Sequence, residues 1–419
     1  MSERDFSWKR IIIPAFGPSA LMGIGKGAIL PVIALSAMDL NASLAESGLI
    51  VALIGFGSLI CNIPAAMITS RYGERLSLVG ASVFFVLALL LCLIASHPLM
   101  LAAGVLLIGM ATSVFYLARQ SYLIDAVPKH MHARAFSTLG GTQRMGMFIG
   151  PFAAAGLMHF IGLAGAYWVA VVALIAAGLL SWKLPELELP PSEADTTAAK
   201  APIPGAIPTQ PRMMDVALAH KNSLLTLGLG VLLIGAMRST RQIAIPLWAA
   251  HIGLSPTATA IIFGLVSAMD MLVFYPAGKV MDQFGRLWVA LPCALLLGMS
   301  LAAIPLTQSI GSFVIVCLLM GLGNGIGSGI VMTLGADSAP RVGRTQFLGL
   351  WRLIADIGNC AGPFILSGVT AAVSLGSGIA TIGVFGFAAA AIFWRTLPLR
   401  PSLSKPAPVK QPDALPDQQ

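Results

Sequence analysis

Charge is what this chain has least of. Asp, Glu, Lys and Arg make up 10% of its 419 residues, while hydrophobic residues make up 57%. A soluble domain carries about 25% charged residues. Too little charge is present to cover a water-facing surface, and the chain is expected to be a polytopic membrane protein. Its five cysteines (Cys61, Cys92, Cys293, Cys317, Cys360) lie inside apolar runs with no CxxC spacing. That pattern fits buried apolar side chains rather than disulfides or thiolate metal sites. The six histidines (His97, His130, His132, His159, His220, His251) fall in or near loops without metal-ligand spacing, so no metal is expected. HExxH, GxSxG and clustered acids are missing as well, so no catalytic residue is assigned and an enzyme is not expected. The run Gly321–Gly329 lacks the lysine-serine ending of a phosphate loop, and no cofactor is expected. The polar, basic start Met1–Arg10 runs straight into a full-length apolar span, unlike a cleavable leader.

What the chain has in abundance is apolar runs. A membrane-crossing helix needs about 20 mainly apolar residues, and twelve stretches qualify: 11–36, 45–69, 76–96, 99–123, 138–160, 163–182, 223–249, 257–280, 287–306, 311–335, 347–372 and 375–394. They predict an all-α fold of twelve transmembrane helices in two six-helix bundles, residues 1–182 and 223–394. The proline-rich segment 183–222 is expected as a cytoplasmic linker, and 395–419 as a disordered cytoplasmic tail.

The net charge of +8 is spread over alternate loops, which argues for topology and against nucleic acid. Arg4, Lys9 and Arg10 precede span 1, and Arg71 and Arg75 follow span 2. Lys129 and Arg134 follow span 4, and Lys183, Lys200, Arg212 and Lys221 lie in the linker. Lys279 and Arg286 flank the turn after span 8, Arg341 and Arg344 follow span 10, and Arg395, Arg400, Lys405 and Lys410 are in the tail. The excess of positive charge on the cytoplasmic side places both termini there, in a multi-pass protein of the cell membrane. The lipid bilayer is thus one partner, and a monomer is expected.

One unit is used twice. Pro64 and Pro276 lie 212 residues apart, and the same offset joins Gly73 to Gly285, Asp125 to Asp337, Pro128 to Pro340, Gly146 to Gly358, Gly150 to Gly362 and Pro151 to Pro363. A displacement held this long is an internal repeat.

Around the turn after span 8 the chain keeps Gly278, Asp282, Gly285 and Arg286, with Gln283 and Leu287 beside them. After span 2 it keeps Arg71, Gly73 and Arg75, with Ala66, Ser70 and Glu74. With six plus six spans and a central linker, these turns resemble the major facilitator superfamily of secondary transporters, whose signature there is Gly-x-x-x-Asp-(Arg/Lys)-x-Gly-Arg-(Arg/Lys). The resemblance implies that the turns, with Asp125 and Asp337, form a gate on the cytoplasmic side, the aspartates pairing with arginines such as Arg71, Arg134 or Arg344. Gly146-x-x-x-Gly150-Pro151, with its twin Gly358-x-x-x-Gly362-Pro363 and Gly349, is similar to the motif of the exporter branches, with Ala154 and Ala155 in place of the trailing glycines. Small residues four apart also let helices pack closely. Where those exporters carry an arginine in span 4, this chain has Val105, four residues before Gly109, so their proton-coupling arrangement does not carry over.

Ionisable groups within spans are costly, about 2.5–3.5 kcal/mol each on insertion scales, and mark functional positions. Lys26 lies in span 1, Arg238 and Arg241 in span 7 and Asp270 in span 8. Arg119, Arg144 and the pair Arg352 and Asp356 lie nearer the cytoplasm in spans 4, 5 and 11. The resemblance implies that spans 1, 4, 7 and 10 line a central cavity. Lys26, Arg238, Arg241 and Asn324 are therefore the candidate substrate contacts. Asp270 and Asp356 are the candidate proton carriers, and Arg119, Arg144 and Arg352 the candidate ion-pair partners. The repeat pairs Lys26 with Arg238, whereas a proline five residues on (Pro31, Pro246) pairs Lys26 with Arg241, and both remain open. The expectation is proton-coupled export of a small anionic or amphiphilic, drug-like compound, with an organic-anion symporter or exchanger as the alternative. A receptor or membrane enzyme on the same scaffold is less favoured.

Overall fold

In a computed structural model, residues 8–127, 132–184, 213–340 and 342–398 are described, apart from the side chains of 8–15, 125, 132–134 and 345. Thirteen α-helices follow one another among them. The first five are α1 (Trp8–Asp39), α2 (Leu44–Leu93), α3 (Pro98–Ala126), α4 (His132–Ile161) and α5 (Ala164–Trp182). After a short α6 (Met213–Ala219) come α7 (Lys221–His251), α8 (Pro256–Phe284), α9 (Leu287–Ala303) and α10 (Ile310–Ile326). The last three are α11 (Ile330–Ser338), α12 (Arg344–Ala372) and α13 (Leu375–Thr396). Eleven helical runs are long and apolar enough to cross a membrane. One of these, α2, is two crossings fused at Gly73, whose φ of 77° and ψ of 167° are not helical. The twelve spans form an all-α fold of two pseudo-symmetric bundles. Within the segment expected as linker the chain already forms α6 and begins α7; residues 185–212 and 399–419, most of the expected linker and tail, lie outside the described residues.

The repeat is visible in the helix starts. Ser43 and Ser255 cap α2 and α8, each accepting from the backbone N–H three residues on. His97 and Ser309, again 212 apart, cap α3 and α10. All four caps lie at the face away from the termini, where the first backbone N–H groups of a helix need an acceptor.

Packing repeats with the same offset. Within the first bundle α4 lies on α1: a Cβ at Gly146 would meet the carbonyl oxygen of Ala20, and one at Gly150 that of Ile24. In the second bundle α12 lies on α7: a Cβ at Gly358 would meet the carbonyl oxygen of Leu232, and one at Gly362 that of Ala236. Ala20 and Leu232, like Ile24 and Ala236, are 212 apart. The glycines of the exporter-like motif are thus the contact surface of one helix pair built twice.

The bundles meet along two seams. On one, α2 faces α12: Gly48 abuts Ser367, and the Phe56 and Phe364 rings stand edge to face at 6.2 Å. On the other, α4 faces α8, with Gly264 against the Phe152 ring. Leu247 and Ile243 also lie within 4 Å of a Cβ at Gly48, so the bundles touch there toward the face away from the termini.

Candidate functional site

Between the bundles lies a cavity of about 420 Å³, within the range of small-molecule sites. Among the described residues four cations line it: Lys26 on α1, Arg144 on α4, and Arg238 and Arg241 on α7. One carboxylate, Asp270 on α8, lines it with Asn324 on α10. Each bundle therefore contributes two cations, and the wall carries four positive charges against one negative.

The side chains are held by uneven partners. Asn324 Nδ2 donates to Asp270 Oδ2, and Arg241 Nη2 approaches the same oxygen at 3.8 Å. Arg238 Nη2 donates to the carbonyl oxygen of Gly327. That contact sits at a break in the tenth span: α10 ends at Ile326, and Gly327, Ser328 and Gly329 form a turn before α11. The sequence predicts one continuous helix over 311–335. The glycine run interrupts it instead and turns a backbone carbonyl toward Arg238. Lys26 Nζ lies 5.3 Å from the centre of the Tyr116 ring, and Gln143 Nε2 donates to Tyr116 Oη at 2.6 Å. Arg144 stacks across the seam on Phe274 of α8 at 4.5 Å, a cation–π contact that shields a guanidinium without neutralising it. Several buried polar atoms have no partner among the described residues: Arg144 Nη1, Arg238 Nε, Arg241 Nε and Nη1, Asp270 Oδ1 and Ser328 Oγ.

Lys26, Arg238, Arg241, Asn324 and Asp270 are thus brought together. Arg144, which the sequence assigns to an intramembrane ion pair, stands in the cavity wall. Asp356 is not part of that wall: it pairs with Arg352 at 4.0 Å, one turn away on α12, where the arginine side chain is 64% exposed. Arg119 is buried on α3 with its guanidinium 6.0 Å from the Phe115 ring. The contact repeat favours the register that joins Lys26 to Arg238, although Arg241 shares the cavity. Gln143, Ser239, Gln242, Ser267, Ser328 and Asn359 also line the cavity. These neutral polar residues carry no charge to single them out in the sequence, although amides and hydroxyls inside apolar spans are themselves a mark of a water-lined face.

The turns at the other end differ from each other. Gly285 has φ 104° and ψ 170°, conformations open to glycine, and swings Arg286 toward the end of α11. There Nε donates to Asp337 Oδ2 at 2.8 Å, and Nη1 donates to the Met281 carbonyl at 3.3 Å. Asp337 therefore pairs with Arg286 rather than with Arg71 or Arg344, while the side chain of Arg134 lies outside those described. Its hydrogen bond to Asp337 first, and nearby Asp282 last, hold the Arg286 guanidinium above its ordinary pKa. In the first copy Arg71 lies over the Tyr72 ring at 5.7 Å, Arg75 over Trp182 at 5.2 Å, and Glu74 accepts from Ser121 at 2.9 Å. Asp125 is on α3, its side chain outside those described. Gly278 lies on α8 with open space around it.

The family model of the Major Facilitator Superfamily matches residues 19–341 and, in a second match, 227–416. The chain is 28% identical over 138 residues to the arabinose-proton symporter of Bacillus subtilis (strain 168), covering 33% of this chain and 30% of that protein. It is 27% identical over 182 residues to an uncharacterized MFS-type transporter, YfkF, of the same organism, covering 40% and 44%. The matched parts span less than half the length of either relative. Among solved structures, the nucleoside transporter NupG superposes with a TM-score of 0.73 at 11% identity, over 91% of this chain and 98% of that one. A bacterial homolog of the human lysosomal transporter Spinster gives 0.71 at 14% identity, over 92% and 96%. A D-xylose-proton symporter gives 0.69 at 18% identity, over 93% and 98%. At these identities the likeness is one of fold.

Proposed function

We propose that this chain, which belongs to the Major Facilitator Superfamily, is a secondary active transporter of small organic anions. It works by alternating access, the two bundles rocking about the cavity. The observation that carries the reading is the charge of the wall, which among the described residues is Lys26, Arg144, Arg238 and Arg241 against Asp270. Buried charge is tolerated where it is paired, and an anionic occupant supplies the missing pairing. Arginine suits it, since its planar fork matches a carboxylate or phosphate.

Protons are the proposed coupling ion and Asp270 the proposed carrier. Its pairing with Arg241 is the kind of contact that rocking would rearrange, and rearrangement lets a carboxylate take up and release a proton. Asp356 is the weaker candidate, being paired outside the cavity. With both termini in the cytoplasm, as the loop charges favour, the contact of Gly48 with Ser367 lies on the outer side, which supports a cavity reached from within. Export is the proposed direction. Uptake by symport is the second reading, favoured by the match to an arabinose-proton symporter. The protein is proposed to act at the cell membrane, and not as an enzyme.

The test is transport by the purified full chain in proteoliposomes of known orientation, with and without an imposed pH gradient, beside thermal unfolding of the detergent-solubilised protein. Organic anions are expected to raise the unfolding temperature, and a Lys26→Gln, Arg238→Gln, Arg241→Gln variant is expected to lose that response. The same anions stabilising the triple variant as well as the parent would sink the proposal.

A further inference from the structure

We infer that the occupant of the cavity is a hydroxylated organic anion, its charged group held by the arginines and its hydroxyls read by Asp270 and Ser328. This rests on the anion reading above. The unpartnered buried atoms fall into two chemical kinds. Arg144 Nη1, Arg238 Nε, and Arg241 Nε and Nη1 are donors, which an anion satisfies. Asp270 Oδ1 is an acceptor, and an anion alone leaves it worse off, since carboxylates sharing a site repel. Asn324 and Arg241 both approach Oδ2, so neither contact reaches Oδ1. An occupant that answers both kinds of atom carries a hydrogen-bond donor as well as a negative charge. An ammonium group would also satisfy Oδ1, but it would add a fifth cation to a wall that already holds four. A hydroxyl adds no charge, and it serves Ser328 Oγ equally well, because each can donate to the other.

The rest of the wall agrees. Amphiphilic, drug-like ligands bury most of their surface against apolar and aromatic side chains. Among the described residues only one aromatic, Phe263, lines this cavity, while Gln143, Gln242 and Asn359 present amides to it. Gln143 already donates to Tyr116 Oη, and Asn359 hydrogen-bonds to Asp356. A bare hydrocarbon body would therefore lie against Gln242 and the remaining hydrogen-bonding capacity of the other two amides without answering it, which is unfavourable.

Matched ligand pairs of equal carbon number and charge type test this on the full-length parent protein: gluconate against hexanoate, glucarate against adipate, and glucose 6-phosphate against hexyl phosphate. Affinities come from isothermal calorimetry and from thermal unfolding. In at least one pair the hydroxylated member is expected to bind about tenfold or more tightly than its stripped partner, since sites built to hydrogen-bond a hydroxyl discriminate strongly against its loss. An Asp270→Asn variant that still binds the stripped partner should show that ratio shrink. Stripped members binding as well as hydroxylated ones in every pair would overturn the inference and leave the anion reading standing. If no member of any pair binds, the inference and the anion reading both fall.

Discussion

Two sets of glycines in the same helices should respond to alanine with opposite sign. At Gly146, Gly150, Gly358 and Gly362 an added Cβ would lie less than 3.0 Å from a carbonyl oxygen or backbone atom of the facing helix, closer than van der Waals contact allows. Backbone cannot swing aside as a side chain can, so each helix pair must separate. Overpacking of this kind costs about 1–3 kcal/mol. Gly156 on α4 and Gly368 on α12 have open space where the Cβ would go, and they too are 212 apart. There alanine only restricts the unfolded chain and favours the helix, a gain of about 0.4–1 kcal/mol. Six single variants, unfolded in mixed detergent micelles with helicity followed by circular dichroism, decide the matter. The four contact variants should be destabilised, twins by similar amounts, and the two open variants unchanged or slightly more stable. Gly150→Ala and Gly362→Ala both matching the parent would refute the account of α4 on α1 and α12 on α7.

The two turn glycines make a second twin. Gly73 and Gly285 hold φ of 77° and 104°, and nothing lies within 4 Å of a Cβ at Gly73, so Gly73→Ala is expected to cost about 1–3 kcal/mol through backbone strain alone; a neutral Gly73→Ala in the same unfolding assay would contradict the assigned backbone. The Arg286–Asp337 pair is 31% and 47% exposed, so Arg286→Gln should change stability by no more than about 1 kcal/mol, less at high salt. Because the arginine's folded pKa is raised, its contribution is complete below the ordinary value and fades only at still higher pH. Salt titration is therefore the measurement, and a salt-independent loss well above 1 kcal/mol would count against the exposed-pair description.

The scaffold was legible because it is written in residues with one use. Prolines, turn glycines and span lengths follow from the bilayer and from backbone sterics, and they recur with a fixed offset. Helix ends differ by a few residues, as at Lys221, where α7 begins two residues before the expected 223. The break at Gly327–Gly329 was not legible. Glycines within a span permit either close packing or interruption, and the choice depends on Arg238, which donates to the freed Gly327 carbonyl. The surroundings of Arg144 are not legible for a related reason. Its position along α4 gives depth, but which way the helix turns it depends on packing, and here that leads to Phe274 of the other bundle.

The register also shows why the site resists prediction from the repeat. Lys26 and Arg238 occupy equivalent positions and are both cations, yet the other charged and amide groups of the wall have no like group at the matching position. The position matching Arg241 holds Ile29, that matching Asp270 holds Ser58, that matching Asn324 holds Thr112, and that matching Arg144 holds Asp356. Ile29 and Thr112 are buried, the latter donating to the Ile108 carbonyl at 2.7 Å. Residues that shape the bundles are thus kept in both copies, while residues that carry charge into the cavity have diverged. A wall built symmetrically would present like groups to like groups across the seam. The asymmetric wall places Arg241, Asp270 and Asn324 together on the second bundle, so donors and an acceptor stand side by side there. The breaks in the repeat, more than the repeat itself, are where the sequence records what the cavity holds.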